Sequence, residues 1–370
     1  MIRPLGYTPG RDRHAVGRPQ ESLVTRPSRT IDELLESTDL SDLATDPTIS
    51  EFWKGQIAKA RTRAEAGHRD RPLRLANVIA CLGYGFRRLP PGGDVRDDPE
   101  LVGVLDTWQS HTRPLLKKAG PRGCGLPAEQ WEHLCAVAYL SLQGTLEAYL
   151  DFIRPLGIRS DMSTARHYYY ATVIRHLWEA HLSPGPLHVL EVGAGAANLA
   201  VFLTSLGIVR SYVIVDLPEM LLNAALQLRE FCREAEIRFD EVPGPADSGG
   251  PIRIYLVKTL DASRIPEDRF TLALNFNSFM EMDRRSRDFY IEQIYRTAVD
   301  GAVFYNVNRR QAALPQPDGS TFDNNPLLYP YRPTDEVLFW EDDPFQTASR
   351  GWFGFRTSLA IARACRVRKP

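Results

Sequence analysis

The residues of this chain best suited to chemistry gather in two short stretches, Val189–Ala200, "VLEVGAGAANLA", and Tyr212–Met220, "YVIVDLPEM". The first reads as a buried strand, a glycine turn, and a helix whose unpaired N–H groups and positive end lie beside the turn. Glycine suits Gly193 and Gly195 because the backbone must turn tightly there and admit a ligand with no Cβ in the way. The second stretch sets Asp216 at the end of the next strand, 21 residues past Gly195. A carboxylate there accepts hydrogen bonds from both ribose hydroxyls of an adenosine group. Glycines that serve only packing are the alternative, and the acid at Asp216 argues against it.

Two details choose among nucleoside ligands. Asn198 stands where the third glycine of a G-x-G-x-x-G turn would be, and Glu191 precedes the first glycine by two residues. A pyrophosphate would be repelled by that carboxylate, whereas an ammonium group gains from it. The turn therefore favours S-adenosylmethionine (SAM) over NAD or FAD.

Further candidates follow later strands. Glu281 and Asp283 flank Met282 at a strand mouth, where doubly wound sheets gather ligands. Glu281 suits a general base toward an acceptor hydroxyl; equally, it can cap the helix starting near Ser286 or pair with Arg284 or Arg285. "HYYYA", His167–Ala171, puts three tyrosines on one helix. Tyr169 continues a packing stripe through Val173 and Leu177. Tyr168 or Tyr170 can turn an aromatic face to a sulfonium cation, worth about 0.5–2 kcal/mol, or join a seam between helices and sheet. His167 and His176 read as surface or satisfied groups. Asn306, Asn308 and Arg309, at another strand end, suit acceptor hydroxyls or a carboxylate. "NNPLLYPYRP" and "FWEDDPF" read as irregular segments over the mouth.

The string "LEVGAGAANLAVFLTSLGIVRSYVIVDLPEML" resembles the cofactor-binding half of class I SAM-dependent methyltransferases, and "LNFNSFMEMD" with "FYNVNR" resembles the sugar O-methyltransferase family. The resemblance spans about residues 165–364. It implies a Rossmann-like doubly wound α/β fold. It implies that Glu191, Gly193, Gly195, Asp216 and Leu217 line the cofactor, and that Asn275, Ser278 and Glu281 sit where substrate meets the methyl group. Two positions depart from the family. Ala196 and Ala197 replace an aromatic residue, and Asn277 stands where an acid often precedes the Ser-Phe pair; its amide takes no proton at neutral pH.

Around these residues the chain divides in three. Residues 1–28, rich in Pro, Gly and Arg, read as a flexible tail. Residues 29–160 read as a helical cap or substrate domain, with Ser50 capping a helix that stops at Gly67. A long helix begins at Pro127 and carries Trp131, Leu134, Cys135, Ala138, Leu142, Leu146, Tyr149 and Ile153 at the helical period. Residues 161–370 read as the SAM-binding domain: a helix over roughly 164–181, then strands at Leu187–Val192, Tyr212–Val215, Ile252–Val257, Phe270–Phe276 and Ala302–Val307, with a last pair between Gly351 and Ala364.

A net charge of −1 offers no broad attraction to nucleic acid or anionic membrane. The five cysteines lack metal-ligand spacing, so no metal site is expected. With no apolar leader or span, a cytoplasmic protein is expected. The partner is a small-molecule substrate, and a homodimer is allowed for. Two reactions fit. One is methyl transfer to a hydroxyl of a sugar or specialised metabolite. The other is cyclisation of SAM itself, releasing methylthioadenosine and a small cyclic amino acid such as azetidine-2-carboxylate.

Overall fold

In a computed structural model of the protein, the described residues are 51–67, 85–110, 127–182, 185–244, 250–310, 313–315, 321–348 and 360–369. The tail expected at 1–28, the Ser50 cap and the strand expected just after Gly351 lie outside them.

Eight strands form one sheet: β1 Leu187–Val192, β2 Val209–Asp216, β3 Glu236–Phe239, β4 Arg253–Lys258, β5 Phe270–Phe276, β6 Ala298–Arg309, β9 Glu336–Asp342 and β10 Ala360–Arg366. Short β7, Ala313–Pro315, and β8, Thr321–Asp323, pair separately. The sheet order is β3-β4-β2-β1-β5-β6-β10-β9. Neighbours from β3 to β6 run parallel, and β10 is antiparallel to both β6 and β9. β1 thus has β2 on one side and β5 on the other, so the strand order reverses at β1 and opens a crevice at the carboxyl ends. This is a Rossmann-like α/β fold.

The central strands are apolar on both faces because both are covered. On one face Val189, Tyr212, Ile214, Leu256 and Leu274 share a cluster with helices α5 (Met162–His181), α6 (Asn198–Ser205) and α7 (Pro218–Phe231). On the other, Leu190, Val213, Val257 and Phe304 meet Tyr290, Ile291 and Ile294 of α8, Arg284–Thr297. Earlier helices are α1 (Glu51–Gly67), α2 (Pro99–Ser110), α3 (Ala128–Leu142) and α4 (Leu146–Ile153). Leu101, Trp131 and Tyr149 from α2, α3 and α4 belong to the same apolar cluster as the sheet.

Three expectations are corrected. The single long helix after Pro127 is two, because Gly144 (φ +69°) ends α3. Thr145 N–H reaches Leu140 O at 2.9 Å and Gly144 N–H reaches Ser141 O at 3.0 Å, the pairing of a Schellman stop. Most of "FWEDDPF" is not irregular: Phe339–Asp342 lie in edge strand β9. Strand β3, only four residues long and half-exposed, carries too little apolar alternation to stand out in the sequence. Among the described residues no helix is long and apolar enough to cross a membrane, and no three His, Cys, Asp or Glu side chains gather as metal ligands would.

Candidate active site

At the carboxyl end of β1 the chain turns through Gly193 (φ +73°), Gly195 (φ +60°) and Ala197 (φ +61°) before α6 begins. Ala197 holds a left-handed conformation that costs a residue with a Cβ about 1 kcal/mol, so the surroundings enforce this turn. The two glycines have different reasons. A Cβ built on Gly193 would lie 2.1 Å from Ser278 Oγ, so the cradle there is filled by protein and closed to a ligand. A Cβ on Gly195 would meet only Met220 Cε at 3.8 Å. Close approach to the backbone is therefore available at Gly195.

Asp216 ends β2 beside that opening and is 9% exposed. Its Oδ2 accepts the Gly195 N–H at 2.8 Å and its Oδ1 accepts the Leu217 N–H at 2.8 Å. Leu217 contributes its backbone here, leading into Pro218 at the start of α7. Burial pushes the Asp216 carboxyl up to about 6, against the pull of these two N–H groups. A carboxylate has about four acceptor positions, so roughly two remain for a ligand's hydroxyls.

Glu191 does not face the turn as expected. Only 3% exposed, it is pinned by the Tyr212 hydroxyl at 2.6 Å, on the sheet face covered by α6 and α7. Burial pushes it up to about 7. Its charge acts from beneath the turn, and a cation bound above would draw it toward ionisation.

Asn275 is corrected from ligand contact to internal hub. Fully buried at the end of β5, it donates to Val192 O at 2.8 Å and to Ser278 Oγ, and accepts from Asn308 Nδ2 at 2.9 Å and the Phe279 N–H at 3.4 Å. Ser278 in turn donates to Val192 O at 3.1 Å. Both side chains stitch β5 to the end of β1. Asn308 is spent inward, since its Oδ1 accepts the Met280 N–H at 3.2 Å. Asn306 is likewise buried, accepting from the Tyr331 hydroxyl at 2.9 Å. The "NVNRR" polar groups thus hold strands together, and Arg309 is the one whose charge bears on the cleft.

That charge bears on Glu281. Asp283, rather than Glu281, caps α8, accepting the Ser286 N–H at 2.9 Å and the Ser286 hydroxyl at 2.9 Å. This leaves Glu281 exposed at the mouth, with the crowding walls pushing its carboxyl up to about 7 and Arg309 opposing them. In the open cleft, water screens much of that rise; a ligand filling the cleft restores it.

Asn277 follows β5 in a left-handed conformation (φ +59°), which asparagine tolerates better than most residues. Its N–H donates to Val307 O at 2.8 Å and its Oδ1 accepts from Gln346 Nε2 at 3.3 Å. The tyrosines do not turn to the glycine turn. Tyr168 packs on Tyr149 and Phe152 and lines a cavity of about 420 Å³ beside Leu206, the residue ending α6 at the far end from the turn. Tyr170 is fully buried and stacked on Phe276, ring centroids 4.6 Å apart. Its hydroxyl meets Asp343, inside the "FWEDDPF" segment, and Gln346 just beyond it, neither of which stands out in the sequence as a site residue. The signal was present: Asp343-Pro344-Phe345-Gln346 has the spacing of a helix capping box. His167 is satisfied, its Nδ1 2.7 Å from Ser163 O.

No family model and no curated protein matches the chain. Solved structures similar to it include the cyclase SpnF, at 15% identity and TM-score 0.39 over 56% of this chain and 84% of that one. The 1,6-didemethyltoxoflavin-N1-methyltransferase of Burkholderia thailandensis, solved with bound S-adenosylhomocysteine, is 16% identical with TM-score 0.35 over 55% and 79%. The glycopeptide N-methyltransferase MtfA, solved with sinefungin, is 18% identical with TM-score 0.33 over 54% and 94%.

Proposed function

We propose that the crevice at the carboxyl ends of β1, β2 and β5 binds SAM, and that the protein is a methyltransferase acting on a hydroxyl of a sugar or specialised metabolite. The observation that carries this reading is the pairing of Asp216, with acceptor positions to spare, and Gly195, whose missing Cβ leaves open space. Asp216 anchors the ribose, Gly195 admits the ligand against the backbone, and Glu191 supports its positive charge from below. The bound ligand supplies a methyl group already activated by its sulfonium. What remains for the protein is orientation, exclusion of water and, for a hydroxyl acceptor, a base. Glu281, with a carboxyl raised to about 7, is matched to accept that proton near neutral pH. The described helices α1 to α4 would cover and select the acceptor.

One observation favours a second reading. The residue just after β5 is Asn277, an amide that takes no proton, and the turn carries buried Ala196 and Ala197 in place of an aromatic side chain. A closed site with no acceptor would let the ligand's own amino group attack its γ-carbon. In methyl transfer the methyl–sulfur bond breaks, S-adenosylhomocysteine forms and turnover needs an acceptor. In cyclisation the γ-carbon–sulfur bond breaks, the amine loses a proton, and methylthioadenosine forms from SAM alone. Mass spectrometry of purified protein incubated with SAM, with and without sugar acceptors, separates them. Methylthioadenosine above the non-enzymatic background overturns the methyltransferase reading; no SAM binding by calorimetry overturns both.

A further inference from the structure

At the carboxyl end of β5, on the side of Tyr170 and β6, four polar side chains form a chain of hydrogen bonds that the proposed reaction does not use. Asp343 is 0% exposed, and its Oδ1 accepts the Gln346 backbone N–H at 2.7 Å and the Tyr170 hydroxyl at 3.5 Å. Its Oδ2 is buried without a hydrogen-bond partner. Gln346 Nε2 donates both to the Tyr170 oxygen, at 2.9 Å, and to Asn277 Oδ1, at 3.3 Å. Asn277 is half-buried at the strand mouth, and its Nδ2 has no protein partner among the described residues.

A count of protons gives this chain a direction. The Tyr170 hydroxyl has one proton, and an ionised Asp343 takes it. The Tyr170 oxygen then accepts, so Gln346 must turn its NH₂ toward it. That same NH₂ meets Asn277, which must present Oδ1. We infer that Asp343 is a positioning residue: acting through Tyr170 and Gln346, it holds the Asn277 amide with Oδ1 inward and Nδ2 offered to the cleft, where it receives a ligand oxygen. The inference rests on reading the cleft as the ligand site. The oxygen belongs either to the carboxylate of SAM or to the acceptor molecule; both present lone pairs.

Protonating Asp343 reverses the chain. Its O–H then donates to Tyr170, Tyr170 donates to Gln346, and both amides turn over, so Asn277 shows an acceptor to the cleft and repels the same ligand oxygen. Burial pushes the Asp343 carboxyl up to about 7, which puts this reversal within reach near neutrality. The charged and titratable groups facing it are Arg166 and Tyr170 of α5, Glu341 of β9, Tyr139 of α3, Tyr169 of α5 and Tyr305 of β6. Arg166 favours ionisation and Glu341 opposes it.

The test has a ligand-free arm and a ligand arm. In protein carrying ¹⁵N in Asn and Gln side chains, the Asn277 amide is assigned by its loss in Asn277→Asp and followed by NMR against pH. The expected result is a step with a midpoint of about 7 in the native protein, absent in Asp343→Asn and in Tyr170→Phe, the latter nearly preserving volume. A flat native profile, or a step that survives in either variant, overturns the relay. In the ligand arm, the loss of one hydrogen bond to a charged group predicts about tenfold weaker SAM binding to Asp343→Asn above the step if the oxygen is SAM's carboxylate. If it is the acceptor's, SAM affinity holds and turnover falls by a similar factor. Unchanged affinity and unchanged turnover overturn the ligand half. A native step with no SAM binding sinks the SAM reading alone, and SAM binding with no step sinks the relay alone.

Discussion

The two ends of the crevice are built on opposite principles. At the glycine-turn end nearly every polar group is already engaged by protein: Asp216 by Gly195 and Leu217, Glu191 by Tyr212, Asn275 and Ser278 by each other and by Val192. At the Glu281 end, the carboxyl of Glu281 and the Nδ2 of Asn277 are left to whatever enters. The first end is preorganised, so a ligand binding there spends little free energy on ordering the site. The second has its polar groups uncommitted and takes its final electrostatic character from the molecule that fills it.

The sharpest way to break this contrast is Gly193→Ala. The new Cβ would overlap Ser278 Oγ and sit at a positive φ, so a loss of about 3 kcal/mol or more is expected, measured by urea unfolding. Gly195→Ala, with open space, should cost only about 1 kcal/mol of stability while interfering with ligand approach. Equal losses would erase the difference between the two glycines. At the other end, Glu281→Gln should lower the chemical rate by about 10²-fold and leave SAM affinity nearly intact; single-turnover kinetics checks both. Asp216→Ala should show the reverse pattern, a loss of about 2–3 kcal/mol in SAM affinity by calorimetry.

The smallest expected effect is in pH. Glu191, Asp216 and Asp343 all have folded values raised above their unfolded ones. The folded state therefore binds these protons more tightly, and stability falls as pH rises from about 4 toward 7. Asp98 and Glu100, lowered by Arg159 and Arg87 respectively, give stability that is present at neutral pH and is lost as pH falls below the ordinary carboxylate range. Ligand-free thermal melts should thus peak at about pH 5 and decline on both sides. A plateau through neutrality would mean that the glycine-turn carboxylates are not buried as described.

What the sequence disclosed follows the same division. The strand, turn and helix around Gly193 and the acid at Asp216 are local patterns, and local patterns survive in a linear reading. Asn275 reads as a ligand contact in the sequence, yet its partners, Val192 and Asn308, come from β1 and β6, and no spacing rule says that an amide at a strand end turns inward. Glu281 reads in the sequence as either a base or the cap of the helix near Ser286; only geometry hands the capping task to Asp283. Asp343 carried a capping signal, but its meeting with Tyr170, 173 residues earlier, is invisible without the fold.

The Ser278 side chain occupying the hollow at Gly193 has a consequence for how the protein comes into being. Val192 and Ser278 are 86 residues apart, yet each helps to complete the other's surroundings. During synthesis the glycine turn and Asp216 leave the ribosome long before the segment that closes the hollow from the far side. Until that segment arrives and β5 lies against β1, the turn lacks one wall. A nascent chain ending before residue 270 should therefore have no working nucleoside site, and ligand capture can serve as a timer for the completion of the sheet.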